Sequence, residues 1–334
     1  MQENFDNAFN LLAEAVEAGK IPGGVLGLVD AAGNRMVRAV GRAAVVPSSR
    51  PMREHTWFDL ASLTKVLFTT PRILRLVEEG VIDLDAPLTS VVPDFVQYNL
   101  DNWQRKITFR QCLGHQTPLP AVFPLYTYGS DPDLLRHFVL QRDWEAGPAV
   151  YSDLNFILLG IAIERLAGKT IREIEPDQGF AWGADPDNAA ATERCAWRGR
   201  VLCGEVHDEN CAALQGAGHA GLFGTADAVL GWAFDALKAS ALLAFGVTQM
   251  RTALSARRTH GWERPYEGWS GGEGASAATI GHTGFTGTGL WIDFERGHSW
   301  TLLTNRVHPT RHFDSGIFAL RRAVGDAINQ SWTP

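Results

Sequence analysis

The chain opens with apolar residues at Phe5, Ala8, Phe9, Leu12 and Val16, three or four positions apart. That spacing places them on one face of a helix, and Gly19 just beyond supplies a C-terminal stop, so the pattern predicts an amphipathic helix. The period then changes. Gly23 to Asp30 and Arg35 to Gly41 read as two strands joined by the turn Ala31-Ala32-Gly33-Asn34, a hairpin and not a strand-helix-strand unit. The middle of the chain is helical in pattern, most clearly over Asp133 to Leu140 and over Asn155 to Ala167, where Gly168 is the stop. Two Gly- and Pro-rich stretches, Leu113 to Pro124 and Gly179 to Asn188, read as surface loops between helices. Strand character returns only near the end, at Gly287 to Phe294 and Ser299 to Thr304 around the turn Glu295-Arg296-Gly297-His298, and Phe313 to Ile328 reads as a closing helix. Strands at both ends with helices between them predict an α/β (α+β) fold whose antiparallel sheet is built from both termini. On this reading residues 1–80 and 240–334 form the sheet domain, and residues 81–239 are an inserted, mainly helical domain.

Composition narrows the class without naming a function. The 334 residues are 45% hydrophobic and 20% charged, the make-up of a globular chain with a substantial core. Thirty Lys and Arg stand against 37 Asp and Glu, a net charge of -7, which argues against a nucleic-acid or anionic-membrane partner. The first residues lack the basic start and apolar run of a signal peptide, and no later run approaches the roughly 20 apolar residues of a membrane span, so a cytoplasmic location is expected. Four cysteines in a chain this long fit a reducing compartment. Cys195, Cys203, His207 and Cys211 lack the close Cys pairs of structural zinc sites, and no metal is assigned to them. The 11 tryptophans are the compositional oddity. Trp262, Tyr266 and Trp269 either wall a substrate pocket or pack the sheet against the helical region, and the sequence leaves both readings open.

Three segments carry chemistry. In Asp59-Leu60-Ala61-Ser62-Leu63-Thr64-Lys65, at the start of a helical pattern running to Gly80, Ser62 and Lys65 fall on one helix face. The free N–H groups and dipole of the helix start favour negative charge there, which helps a serine alkoxide to form. In Tyr151-Ser152-Asp153, Tyr151 is a poor base at a pKa of about 10, but the ammonium of Lys65 nearby would favour its phenolate. Ser152 or Asp153 also suits the N-cap of the helix that follows. In Gly281-His282-Thr283-Gly284-Phe285-Thr286-Gly287, glycines flank a short polar run where a substrate can approach the backbone closely.

Taken in order, Ser-x-x-Lys, Tyr-x-Asp and His-Thr-Gly resemble the active-site signature of the penicillin-recognising serine hydrolases: class C β-lactamases, D-alanyl-D-alanine carboxypeptidases and their esterase relatives. Asp83-Leu84-Asp85-Ala86-Pro87, Leu113-Gly114-His115-Gln116-Thr117, Gly218 to Phe223 and Leu303 to Pro309 are similar to further segments of that family, so the resemblance covers nearly the whole chain. The resemblance implies that Ser62 attacks a carbonyl and becomes acylated. It implies that Lys65 and Tyr151 manage the proton, and that the N–H groups of Ser62 and Phe285 form an oxyanion hole. Asp153, His282, Thr283 and Gly284 would bind substrate, and no metal or organic cofactor is called for. The substrate would be a small ester, amide or β-lactam.

Two positions depart from the family pattern. His282 stands where most members have a lysine that grips a substrate carboxylate, and at pH 7 a histidine is mostly neutral, with one hydrogen bond to donate. Asp153 stands where the class C pattern has Asn; an ionised Asp only accepts, and near Lys65 it would keep that lysine charged. Both changes weaken the hold on an anionic acyl-amino substrate and point to an esterase-like hydrolase. The alternatives are a true β-lactamase, a D-alanyl-D-alanine carboxypeptidase or D-aminopeptidase, or a penicillin-binding sensor without turnover. Retention of Ser62, Lys65 and Tyr151 favours turnover. His207 and His219 read as structural members of loops near the site.

Overall fold

The computed structural model describes residues 1–242, 244–330 and 332. The opening amphipathic pattern is helix α1, Gln2–Glu17, which buries Phe5, Ala8, Phe9 and Leu12 and ends just before Gly19 in the left-handed region. Its buried face lies on a six-stranded antiparallel sheet. The long strands are β1 (Gly23–Asp30), β2 (Arg35–Ala44), β3 (Thr279–Thr283), β4 (Thr288–Asp293) and β5 (His298–Thr304). From one edge the order is Arg50–Pro51, β2, β1, β5, β4, β3, so the N-terminal hairpin is completed by the C-terminal strands. The β1–β5 pairing places Val25 opposite Leu303 and Leu28 opposite Trp300. Because side chains alternate along a strand, Leu26 and Leu28 face α1 and the closing helix, whereas Val25 joins the core on the other face.

Among the described residues, the other helices of nine residues or more are α2 (Thr70–Glu78), α3 (Asp153–Ala167), α4 (Ala226–Ala241), α5 (Ile317–Asn329) and the helix Pro132–Gln141 expected over Asp133 to Leu140. Helix α5 lies beside α1, and α4 crosses the opposite face of the sheet, where a Cβ on Gly27 would come within 2.7 Å of Leu230. Helix α3 is apolar all round, with ten consecutive residues from Leu154 to Ile163 buried, as befits the central helix of the helical region. Gly168 ends it with φ +63°. The core on this side is continuous from Val25 and Leu290 of the sheet to Phe156 and Leu119.

The observed elements depart from the expected ones in three places. Thr279–Thr283 is a strand, although the pattern places strand character only from Gly287 onward. Gly281 is there because a Cβ would lie 2.2 Å from Trp291 on the neighbouring strand, not because the chain turns. The middle of the chain is not strand-free: Ala191–Cys195 pairs with Arg200–Cys203, and the two-residue strands Phe58–Asp59, Phe223–Gly224 and Phe180–Ala181 form a small sheet. The first half of Leu113 to Pro124 is interior, with His115, Thr117 and Leu119 buried. The tryptophan question resolves toward packing. Trp262 and Trp269 are buried, Trp262 stacks on Trp232 at 5.8 Å, and Trp291 and Trp300 stack at 5.7 Å across β4 and β5.

Helix α3 passes the 217–220 loop with no room between the backbones. A Cβ on Gly160 would sit 2.6 Å from the Gly218 nitrogen, and one on Gly218 would sit 2.4 Å from the Phe156 carbonyl oxygen. Gly218→Ala must therefore push the loop off the helix and should lower unfolding free energy by about 1–3 kcal/mol in urea titrations. Stability equal to the parent chain would contradict this packing.

Candidate active site

Ser62 stands at the exit of a sharp turn. The strand Phe58–Asp59 ends, Ala61 takes φ +49°, and the helix that begins behind Ser62 opens with a wide π turn, Lys65–Thr69, before α2. A left-handed alanine is sparsely populated, and here the Asp59 carboxylate holds it. One Asp59 oxygen accepts the Ala61 N–H at 2.8 Å and the other accepts the His207 N–H at 2.6 Å. Burial pushes the Asp59 pKa up against these bonds.

The helical spacing brings Lys65 Nζ to 2.9 Å from Ser62 Oγ. Lys65 is fully buried, and its other partners are the Asp153 carboxylate at 2.8 Å and the His219 carbonyl at 3.1 Å. Burial alone would lower its pKa, but Asp153 and Tyr151 outweigh burial and raise it above the ordinary 10.5. Lys65 is therefore a fixed cation at neutral pH.

Tyr151 lies with its ring centroid 5.0 Å from Lys65 Nζ and 4.3 Å from the His115 ring. Burial raises its pKa, Lys65 opposes, and Asp153 adds to the rise, so the net shift is upward. The expectation that Lys65 would make Tyr151 a phenolate is thus corrected, because burial penalises the phenolate and Asp153 works against the ammonium. Asp153 opens α3. Ser152 occupies the N-cap position without capping, since its hydroxyl donates to the Pro120 carbonyl at 2.7 Å and its N–H to His115 Nδ1 at 3.1 Å.

His282 is buried on β3, opposite Leu290, with its ring 5.9 Å from that of Tyr151. Burial, then the charges of Lys65 and Arg258, hold its pKa well below the ordinary value, so the ring is neutral. Its single proton is on Nδ1 and is donated to the Thr283 carbonyl at 3.1 Å. The remaining Nε2 is an acceptor, so His282 offers a substrate carboxylate neither a charge nor a donor.

Thr283 ends β3, and the 284–287 turn follows. The Gly284 N–H donates to the Thr288 carbonyl at 2.8 Å, and a Cβ on Gly284 would lie 2.1 Å from Thr288 Oγ1. The turn is stitched to the strand before Ser62: Thr286 Oγ1 donates to the Asp59 carbonyl at 2.8 Å and Thr288 Oγ1 to the Leu60 carbonyl at 3.0 Å. Among the described residues, neither the Ser62 nor the Phe285 N–H has an intramolecular acceptor. Phe285 is 49% exposed, its ring stacked on His207 at 5.7 Å.

Sequence reasoning passed over several residues that shape this site. His115, in the Leu113–Thr117 segment, is buried against the Tyr151 ring, which local pattern does not show. Arg258 has its guanidinium 5.1 Å from the Tyr151 ring and is paired with Glu263 at 3.1 Å; no local pattern points to it. Asp208 receives His219 Nε2 at 2.9 Å, and although burial works the other way, His219 and the Cys211 N–H hold its pKa low. Asp153, Asp208 and His219 could between them approach a metal ion, but the ammonium of Lys65 already lies on Asp153. His207 Nε2 meets Glu193 at 3.0 Å, and the Cys211 thiol donates to the Ala220 carbonyl at 3.1 Å.

An antiparallel sheet from both termini, with a serine and lysine one helical turn apart at its junction with a helical region, defines a β-lactamase/transpeptidase-like fold. A family profile described as Beta-lactamase matches residues 8–324, and the chain belongs to that family. It is 31% identical to the N-acetylmuramyl-L-alanine amidase of Bacillus subtilis (strain 168), over 77% of this chain and 69% of that protein. It is 27% identical to esterase EstB of Burkholderia gladioli over 90% of each chain. Among solved structures it is similar to EstCE1, a hydrolase with promiscuous acyltransferase activity, with TM-score 0.75, 20% identity and coverage of 98% of this chain and 99% of that one.

The electrostatics predict a direction for Asp153→Asn. Removing the carboxylate's negative charge eases deprotonation of both Lys65 and Tyr151, so the limb on which kcat/KM rises with pH should move to lower pH by about one unit or more. A limb that stays in place or moves to higher pH would contradict this.

Proposed function

We propose that the chain is a serine hydrolase that forms an acyl-enzyme on Ser62 and acts on small ester or amide substrates. The observation that carries the reading is the serine hydroxyl 2.9 Å from a buried lysine that Asp153 holds in place, together with the Ser62 and Phe285 N–H groups, which lack an acceptor among the described residues. Ser62 Oγ attacks the carbonyl carbon, and the negative charge that develops on the carbonyl oxygen is received by the N–H groups of Ser62 and Phe285. The serine proton passes to the Tyr151–Lys65 pair and from there to the leaving group. Lys65 and Tyr151 both hold their protons at rest, so the reactive species is the minor form of the pair that has lost one proton. The same pair then draws a proton from water, the hydroxide equivalent attacks the acyl carbon, and the pair returns that proton to Ser62 Oγ as the acyl–oxygen bond breaks and the acid product leaves.

Substrate class follows from His282. A neutral ring that spends its proton on the Thr283 carbonyl gives no counter-charge for a substrate carboxylate, and the charge of Arg258 is matched by Glu263. The half-exposed ring of Phe285 beside the oxyanion position adds an apolar wall. These features support neutral esters and small amides over anionic acyl-amino substrates; the relatives include an esterase and also putative D-alanyl-D-alanine carboxypeptidases.

Turnover of a short p-nitrophenyl ester, a small amide and a chromogenic cephalosporin by the parent chain and Ser62→Ala tests the reading. The ester should be hydrolysed far faster than the cephalosporin, and Ser62→Ala should lose at least about a thousandfold in kcat. Faster turnover of the cephalosporin would overturn the substrate class, and ester turnover that survives Ser62→Ala would overturn the mechanism.

A further inference from the structure

Arg321 lies one turn into α5, buried to within 3% of completely, and among the described residues no carboxylate is within ion-pair distance of it. Its Nη2 donates to the Gly284 carbonyl at 2.8 Å and to the Thr288 carbonyl at 2.7 Å. Burial, then the charge of Arg306, pulls its pKa below the ordinary guanidinium value. A position near the helix start offers no compensation, since the helix dipole is positive there. A desolvated charge is an expensive way to bridge two carbonyls that already have partners: the turn closes through Gly284 N–H to Thr288 and Gly287 N–H to Gly284.

The Gly284 carbonyl belongs to the same peptide group as the Phe285 N–H. A donor on the oxygen of a peptide polarises its N–H and strengthens the bond that this N–H makes. We infer that Arg321 is a positioning residue for acyl transfer, fixing the plane of the Gly284–Phe285 peptide and strengthening the Phe285 N–H as a donor to the oxyanion. The inference rests on the acyl-enzyme reading above. Arg321 touches no reacting atom; it acts through the one peptide group between itself and the substrate oxygen.

The test uses Arg321→Met and Arg321→Lys, assayed with a p-nitrophenyl ester, with active sites counted from the acylation burst and with phenylboronic acid as a tetrahedral, anionic adduct of Ser62. Arg321→Met should lose roughly ten- to a hundredfold in kcat per active site, less than deleting an oxyanion donor outright, with KM changed by less than about threefold. Boronate affinity should weaken in parallel with kcat. One nitrogen, Nη2, serves both carbonyls, so Arg321→Lys keeps the charge but must reach them with a shorter side chain and a non-planar donor, and should fall between parent and Met variant. If Arg321→Met does not fold, the Lys variant alone decides. Unchanged kcat per active site and unchanged boronate affinity, with only melting temperature or active fraction reduced, would show a structural role and overturn the inference. A parent chain that hydrolyses the ester without acylating Ser62 would overturn the acyl-enzyme reading and this inference together.

Discussion

A lysine ammonium withdrawn from water holds this site together. Left unpaired in the interior, Lys65 would shed its proton; with the Asp153 carboxylate at 2.8 Å it keeps it. That pairing joins the helix behind Ser62 to the start of α3, and the bond to the His219 carbonyl brings in a third segment. Each of the three is held in turn by something else. The 218–219 loop can reach Lys65 only because Gly160 and Gly218 let two backbones touch, and His219 is anchored on Asp208. Ser62 is presented to Lys65 only because Asp59 holds Ala61 in a left-handed turn.

The other half of the site comes from the far end of the chain. Two threonine hydroxyls on the 284–288 turn bond to the Asp59 and Leu60 carbonyls, so the Phe285 N–H is positioned against the same strand end that delivers Ser62. The sheet makes this possible, since β1 and β5 pair in one register and β4 and β3 follow from it. Two buried charges flank the seam, Asp59 on one side and Arg321 on the other, and among the described residues each makes hydrogen bonds only to backbone groups. Neither adds obvious stability. Both fix peptide groups next to the position where an oxyanion would form.

Much of this was legible from local pattern. The α1 stripe, the two terminal hairpins and the Gly168 stop are short-range signals, and the structure carries them at nearly the expected boundaries. Strand β3 was hidden because Gly281 answers to Trp291 on the neighbouring strand, a non-local demand. The 113–124 segment has the composition of a surface loop, yet its polar groups are satisfied inside: Thr117 donates to Asn155 at 2.6 Å and His115 accepts from Ser152. The proximity of Ser62 and Lys65 followed from helix geometry alone. The protonation of Tyr151 did not, because it depends on how burial, Lys65 and Asp153 balance once all are in place. Arg258 and Arg321 come from segments with no distinguishing pattern and reach the site only through the fold.

The central claim is that Ser62 is the acylated nucleophile. The most direct measurement is peptide mapping by mass spectrometry after reaction of the folded chain with a fluorophosphonate, which traps an activated serine as a stable phosphonyl ester. The account predicts a single adduct, on the peptide bearing Ser62, that disappears when the chain is unfolded before labelling. An adduct on a different serine, or a folded chain that does not react, would contradict it.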